Sequence, residues 1–167
     1  MQKPIIAFAA LAIAAPLSAQ TGGDMMDLSE VVAAAESSSS AHAMEAELEG
    51  YKGQLAYEVE LVGDGKITTM YVDARTGATL GTEEPRLENA WRDIFDREMK
   101  MFADLNQPLA PRIAAVEQET EGKVREVSYD VEGGIPVLEM EVDTPTGTAE
   151  WKVDARDGSR LPAGFDD

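Results

Sequence analysis

An α+β fold is predicted, made of two repeats that each pack a helix on a small antiparallel sheet and are joined by a central amphipathic helix. Three observations predict it. YVDARTGATL, from Tyr71 to Leu80, returns as KVDARDGSRL, from Lys152 to Leu161, at an offset of 81 residues. The same offset aligns YEVEL (Tyr57 to Leu61) with LEMEV (Leu138 to Val142), and LSEVVAAAE from Leu28 with LAPRIAAVE from Leu109. No gap is needed across residues 28–80, where 14 of 53 pairs are identical by direct count. Chance similarity rarely keeps register through several loops, so the offset reads as duplication.

The first residues read as an address. Lys3 precedes the uncharged run Ile5 to Ala15, Pro16 breaks it, and Leu17-Ser18-Ala19 offers a small residue for cleavage. That order is a secretory signal peptide over residues 1–19, too short in its apolar core for the ~20 residues of a spanning helix. Cleavage after Ala19 leaves 167 − 19 = 148 residues and a charge of 13 − 32 = −19. The expected localisation is periplasmic or secreted, with no membrane span after cleavage.

Each element then follows from local pattern. Leu28, Val31, Val32 and Ala35 recur at helical spacing, with Asp27 or Ser29 near the N-terminus as a cap. Leu109, Ile113 and Val116 repeat the pattern, and Pro111 is acceptable in a first turn. The helices end within Ser37 to Ser40 and Gln118 to Gly122. Period-two segments come next: Met44, Ala46 and Leu48 against Glu45, Glu47 and Glu49, matched by Arg125, Val127 and Tyr129 against Glu126, Ser128 and Asp130. Turns at Gly50 to Gly53 and Gly133-Gly134 lead to strands that put Tyr57, Val59 and Leu61 opposite Glu58 and Glu60, and Leu138, Met140 and Val142 opposite Glu139 and Glu141. Gly63-Asp64-Gly65 and Pro145-Thr146-Gly147 close the next hairpins. A third strand buries Met70 and Val72, or Trp151 and Val153.

Those strands end in Asp73 to Gly77 and Asp154 to Gly158, where an Asp side chain accepts backbone N–H groups and Gly takes positive φ. Asp73, Gly77, Asp154 and Gly158 are therefore structural turn residues. Between the copies, Arg86 to Gln107 reads as a helix whose Leu87, Trp91, Ile94 or Phe95, Phe102 and Leu105 share one face. The expected organisation is a first repeat over 27–82, a helical connector over 83–108 and a second repeat over 109–163.

The strands and above all the V-D-A-R-x-G-x-x-L ending, at Val72 to Leu80 and Val153 to Leu161, resemble the PepSY family. That resemblance implies a small α+β module of exported or membrane-attached bacterial proteins, with binding and restraint of a peptidase as the proposed role. It carries over no catalytic residue and implies no cofactor. No peptidase domain follows in this chain, so any restraint would act in trans.

Composition narrows the function further. A formal charge of 14 − 32 = −18 argues against nucleic acid and anionic lipid as partners. With no cysteine and one histidine, His42, thiol chemistry, triads and His- or Cys-based metal sites have no residues to draw on. The expectation is a non-enzyme. Alternation sends Glu45, Glu47, Glu49, Glu58 and Glu60 to one sheet face, with Glu126, Asp130, Glu139 and Glu141 repeating them. This stripe is the candidate surface for a protein partner, a peptidase or another envelope protein with a basic segment. The bland alternative is a solvated face that maintains solubility, and a second functional reading is divalent-cation or ligand binding in the envelope.

Overall fold

A computed structural model describes residues 25–64, 66–84, 92–105 and 107–162, with side chains of the connector described from Met99 onward. The signal segment, Leu87 and Trp91, and the side chains of Ile94 and Phe95 lie outside the described residues. In chain order the elements are α1 (Leu28–Ser39), β1 (His42–Tyr51), β2 (Gln54–Gly63), β3 (Lys66–Asp73), β4 (Thr79–Glu83), α2 (Arg92–Leu105), α3 (Ala110–Thr120), β5 (Lys123–Glu132), β6 (Ile135–Thr144) and β7 (Gly147–Asp154). The α+β class is that expected. Among the described residues, no helix is long and apolar enough to cross a membrane.

The strands form one antiparallel seven-stranded sheet in the order β4-β3-β2-β1-β5-β6-β7, where two small sheets were expected. The halves join through only three residue pairs, Glu45–Ser128, Ala46–Val127 and Glu47–Glu126. Ala46 and Val127 are themselves 81 residues apart, so the two halves meet about a local two-fold axis at this seam. The strand β4 has no counterpart in the expected pattern. Its short TLGTE run carries too little alternation to stand out.

One sheet face carries α1 and α3. Leu28, Val31, Val32 and Ala35 of α1 and Ile113 and Val116 of α3 pack with Ala46, Val59, Leu61 and Val72 of one half and Val127, Met140 and Val142 of the other. Burying these side chains yields about 1.5–3 kcal/mol apiece for the larger ones. The helices are tied reciprocally. Glu36 Oε1 accepts the Ala43 N–H at 3.1 Å and the Leu109 N–H at 3.2 Å. Glu117, 81 residues on, accepts the Val124 N–H at 3.3 Å and the Ser29 hydroxyl at 3.1 Å. Each glutamate thus closes its own helix–strand turn and reaches the start of the other half's helix. Asp27 sits at the N-cap position of α1 without a side-chain cap bond, and its Oδ1 instead takes the Lys123 ammonium.

Two side chains depart from simple alternation, and a third is less buried than its position suggests. A β-bulge between Ala43 and Glu45 puts Ala43 into the helix-side core and turns Met44 to the opposite face, away from Ala46 and Leu48. The matching bulge between Val124 and Glu126 buries Val124 and leaves Arg125 paired with Asp143. Trp151 is only half-buried, and the Arg160 guanidinium stacks 3.6 Å from its ring centre. The serines 37–39 are the last turn of α1, and Ser40 ends it in the left-handed conformation. On the second sheet face, Phe102 of α2 is buried with Met44, Val62 and Ile67 and meets Tyr129 edge-on at 5.1 Å. The connector therefore rests against the sheet and touches both halves.

Candidate functional site

Sheet register arranges the predicted carboxylates into two rows. The first runs Glu58, Glu47, Glu126, Glu141 and Glu150 across five adjacent strands, β2-β1-β5-β6-β7, with each residue directly opposite the next. The second runs Glu60, Glu45, Ser128, Glu139 and Lys152 across the same strands. Glu49 approaches the first row, its carboxylate within 4.8 Å of those of Glu47 and Glu58. Asp130 stands apart, grouped with Glu132 and Glu139.

The face is less solvated than its composition suggests. Glu45, Glu47, Glu49, Glu58, Glu60 and Glu139 are half-buried, while Glu126, Asp130 and Glu141 are exposed. Desolvation, with the charges of Glu60, Glu47 and Glu126 added, raises the Glu45 carboxyl to about 7. Desolvation and a shared hydrogen bond with Glu49 raise Glu58 to about 8. Burial likewise raises Glu47, where Glu126 adds to it, and Glu60. Close carboxylates cannot all ionise cheaply in a partly dry setting, so protons are shared among them near neutrality.

Among the described residues, the ion pairs of this face gather around Lys152. Lys152 pairs with Glu132 and Glu139, each at 2.7 Å, and with Glu150 at 3.6 Å. Among the described residues, none of the recorded ion pairs involves Glu45, Glu47, Glu58, Glu60 or Glu126. Among the described residues, the carboxylates outside these pairs lie on β1, β2 and the neighbouring part of β5. Glu132, Glu150 and Lys152 were not singled out from the sequence. The signal was present in alternation, because Trp151 and Val153 on the core face send Glu150 and Lys152 to the other.

The turn residues do what their chemistry suggests. Asp73 Oδ1 accepts the backbone N–H groups of Arg75 at 3.0 Å and Thr76 at 2.8 Å, and these bonds hold its carboxyl below the usual range. Asp154 accepts the Arg156 backbone and guanidinium N–H groups at 2.8 and 2.9 Å, and the guanidinium lowers it most. Gly77 and Gly158 hold φ of 69° and 76°, and their N–H groups return to the carbonyls of Asp73 and Asp154. Both aspartate carboxylates are engaged within their own turns.

A profile of the PepSY family, described as peptidase propeptide and YPEB domain, matches residues 26–83 and 113–159, more than half the chain. This protein belongs to the PepSY family. It is 30% identical over 118 residues to the uncharacterized protein YkoJ of Bacillus subtilis (strain 168). That match covers 70% of this chain and 61% of YkoJ, so the chain spans less than two thirds of that relative. A candidate lipoprotein of Clostridium difficile 630, known from a crystal structure, aligns with a TM-score of 0.49 at 22% identity, covering 83% of this chain and 93% of the other.

Proposed function

We propose that this PepSY protein is an exported, non-catalytic binding module that restrains a peptidase or another envelope protein in trans. The observation that carries this reading is the row of five directly opposed carboxylates on the sheet face that α2 shares at Met44, Val62 and Ile67, the opposite face being taken up by α1 and α3. Each opposed like-charged pair costs roughly 0.2–1 kcal/mol in the isolated fold. A basic segment laid on the face removes that repulsion and displaces protons held by Glu45 and Glu58. Binding energy thus comes partly from relief of strain already present in the free protein. The family description, which includes peptidase propeptides, supports a peptidase as the first partner to test. We read residues 27–82 and 109–163 as its two repeats and 83–108 as the connector that holds them.

The reading is tested by capture from the exported protein fraction at low and high salt. Retention that falls as salt rises is expected, since screening weakens exposed charge pairs beyond about 10 Å at 0.1 M. Salt-insensitive capture of every partner removes the electrostatic reading.

A second reading has its own observation. Carboxylate oxygens of Glu47, Glu49 and Glu58 lie within 4.8 Å of one another, an oxygen-only set of the kind calcium accepts. Calcium that binds only the folded chain raises its thermal midpoint in proportion to the logarithm of concentration. A midpoint unmoved by calcium at concentrations that leave the fold intact rejects this reading.

A further inference from the structure

The two halves differ most at their outer edges, and the difference exposes a strand. In the first half, β4 pairs along β3, with Gly81 opposite Tyr71 and Glu83 opposite Thr69. In the second half the corresponding chain makes a single bridge, Val153 to Arg160, and then reaches Pro162 at the offset position of Gly81. Proline has no N–H to donate, so it cannot continue the ladder as Gly81 does. Among the described residues, no strand pairs with the rest of the outer edge of β7.

Main-chain direction on that edge is set by two bonds. The Asp154 N–H donates to Ser159, and the Lys152 carbonyl accepts from Leu161, so these alternate residues point outward. By alternation, Thr148 and Glu150 also direct their N–H and C=O groups away from β6. Both residues are exposed. Their side chains stand on the carboxylate face, and Glu150 ends the five-carboxylate row. On the helix side, Trp151, Val153 and Val116 line a cavity of about 150 Å³ whose remaining wall is largely charged, with Arg112, Glu119 and Asp157. Among the described residues, the buried indole Nε1 of Trp151 has no hydrogen-bond partner.

We propose that this edge of β7 takes an extended peptide segment of a partner protein in which basic and apolar side chains alternate, added as one more strand of the sheet. What occupies the equivalent edge in the first half is a strand, which points to the same backbone conformation here. A residue paired with Glu150 has its side chain on the carboxylate face, where lysine or arginine continues the row with opposite charge. Its neighbours point to the helix side, where the apolar wall of Trp151, Val153 and Val116 can cover an apolar group. Main-chain bonds provide affinity and the two flanking surfaces provide selectivity. A second copy of this chain is a poorer occupant, because a net charge of −18 opposes edge-to-edge pairing of like chains. The proposal rests on the binding-module reading and specifies the conformation and pattern of what is bound.

The test is amide hydrogen exchange by NMR on the chain from Gln20, titrated with a capped peptide of alternating lysine and valine. The expected result is exchange at Thr148 and Glu150 slowed at least tenfold on saturation, with peptide affinity reduced at least fivefold in Thr148→Pro. That variant removes an outward N–H while leaving pairing with β6, and Glu150→Pro serves if it fails to fold. Peptide binding with shifts at Glu47, Glu58 and Glu126 but unchanged exchange on β7 overturns the edge proposal and leaves the acidic-face reading standing. Slow exchange at both amides in the free chain shows the edge already closed from within and also overturns it. Absence of any binding overturns both readings.

Discussion

Glu45 and Glu58 show how burial changes what a charged residue means. On an exposed strand face each would be an ordinary solvating carboxylate. Here desolvation and like-charged neighbours raise them from the ordinary 4.5 to about 7 and about 8. A carboxyl that binds its proton more tightly when folded adds stability at low pH, and that contribution is lost as pH rises through the folded value. Thermal stability is therefore expected to decline from about pH 4.5 to about pH 8. Glu45→Gln and Glu58→Gln together should flatten that decline and raise the midpoint at pH 8, read by circular dichroism melts across the range. A steep decline that survives both substitutions would place its origin elsewhere. The two turn aspartates behave oppositely, and Asp154→Ala should cost about 0.5–1.5 kcal/mol for each hydrogen bond its buried carboxylate loses to the exposed Arg156, read by chemical denaturation. Alternation was enough to place the glutamates on one face. Their depth was hidden, because no local pattern reveals that α2 returns across the sheet.

At the scale of elements, helices and hairpins were legible where a period met a turn signal. Leu28 to Ala35 and Ile113 to Val116 kept helical spacing, and paired glycines marked the hairpins. The bulges were not legible. Met44 lies within an apparently unbroken alternation, yet one extra residue opposite β2 sends it to the other face, where it helps seat Phe102. Phe102→Ala should then cost about 3–5 kcal/mol, as buried aromatic truncations do, and chemical denaturation measures it. A cost below about 1 kcal/mol would mean that α2 is not held on the sheet by this contact. The reciprocal pair Glu36 and Glu117 makes a second claim at this scale. Glu36→Ala leaves the Ala43 and Leu109 N–H groups without their acceptor, at about 1–3 kcal/mol for each group that water does not reach. A loss near that of an exposed surface substitution would deny the tie between the halves.

For the whole molecule, the repeat was visible in the sequence, but the way the copies join was not. Two separate small sheets and one continuous sheet obey the same alternation, and only the seam at Ala46 and Val127 distinguishes them. That seam turns two modest acidic stripes into rows that cross five strands, which neither half could build alone. The central claim is that these rows are the surface a partner meets. The most direct measurement compares partners captured from the exported fraction by the wild-type chain and by a folded variant with Glu58, Glu60, Glu139 and Glu141 reversed to lysine. The account predicts that partners enriched by the wild type are lost from the variant. Retention of every partner by the variant would contradict it.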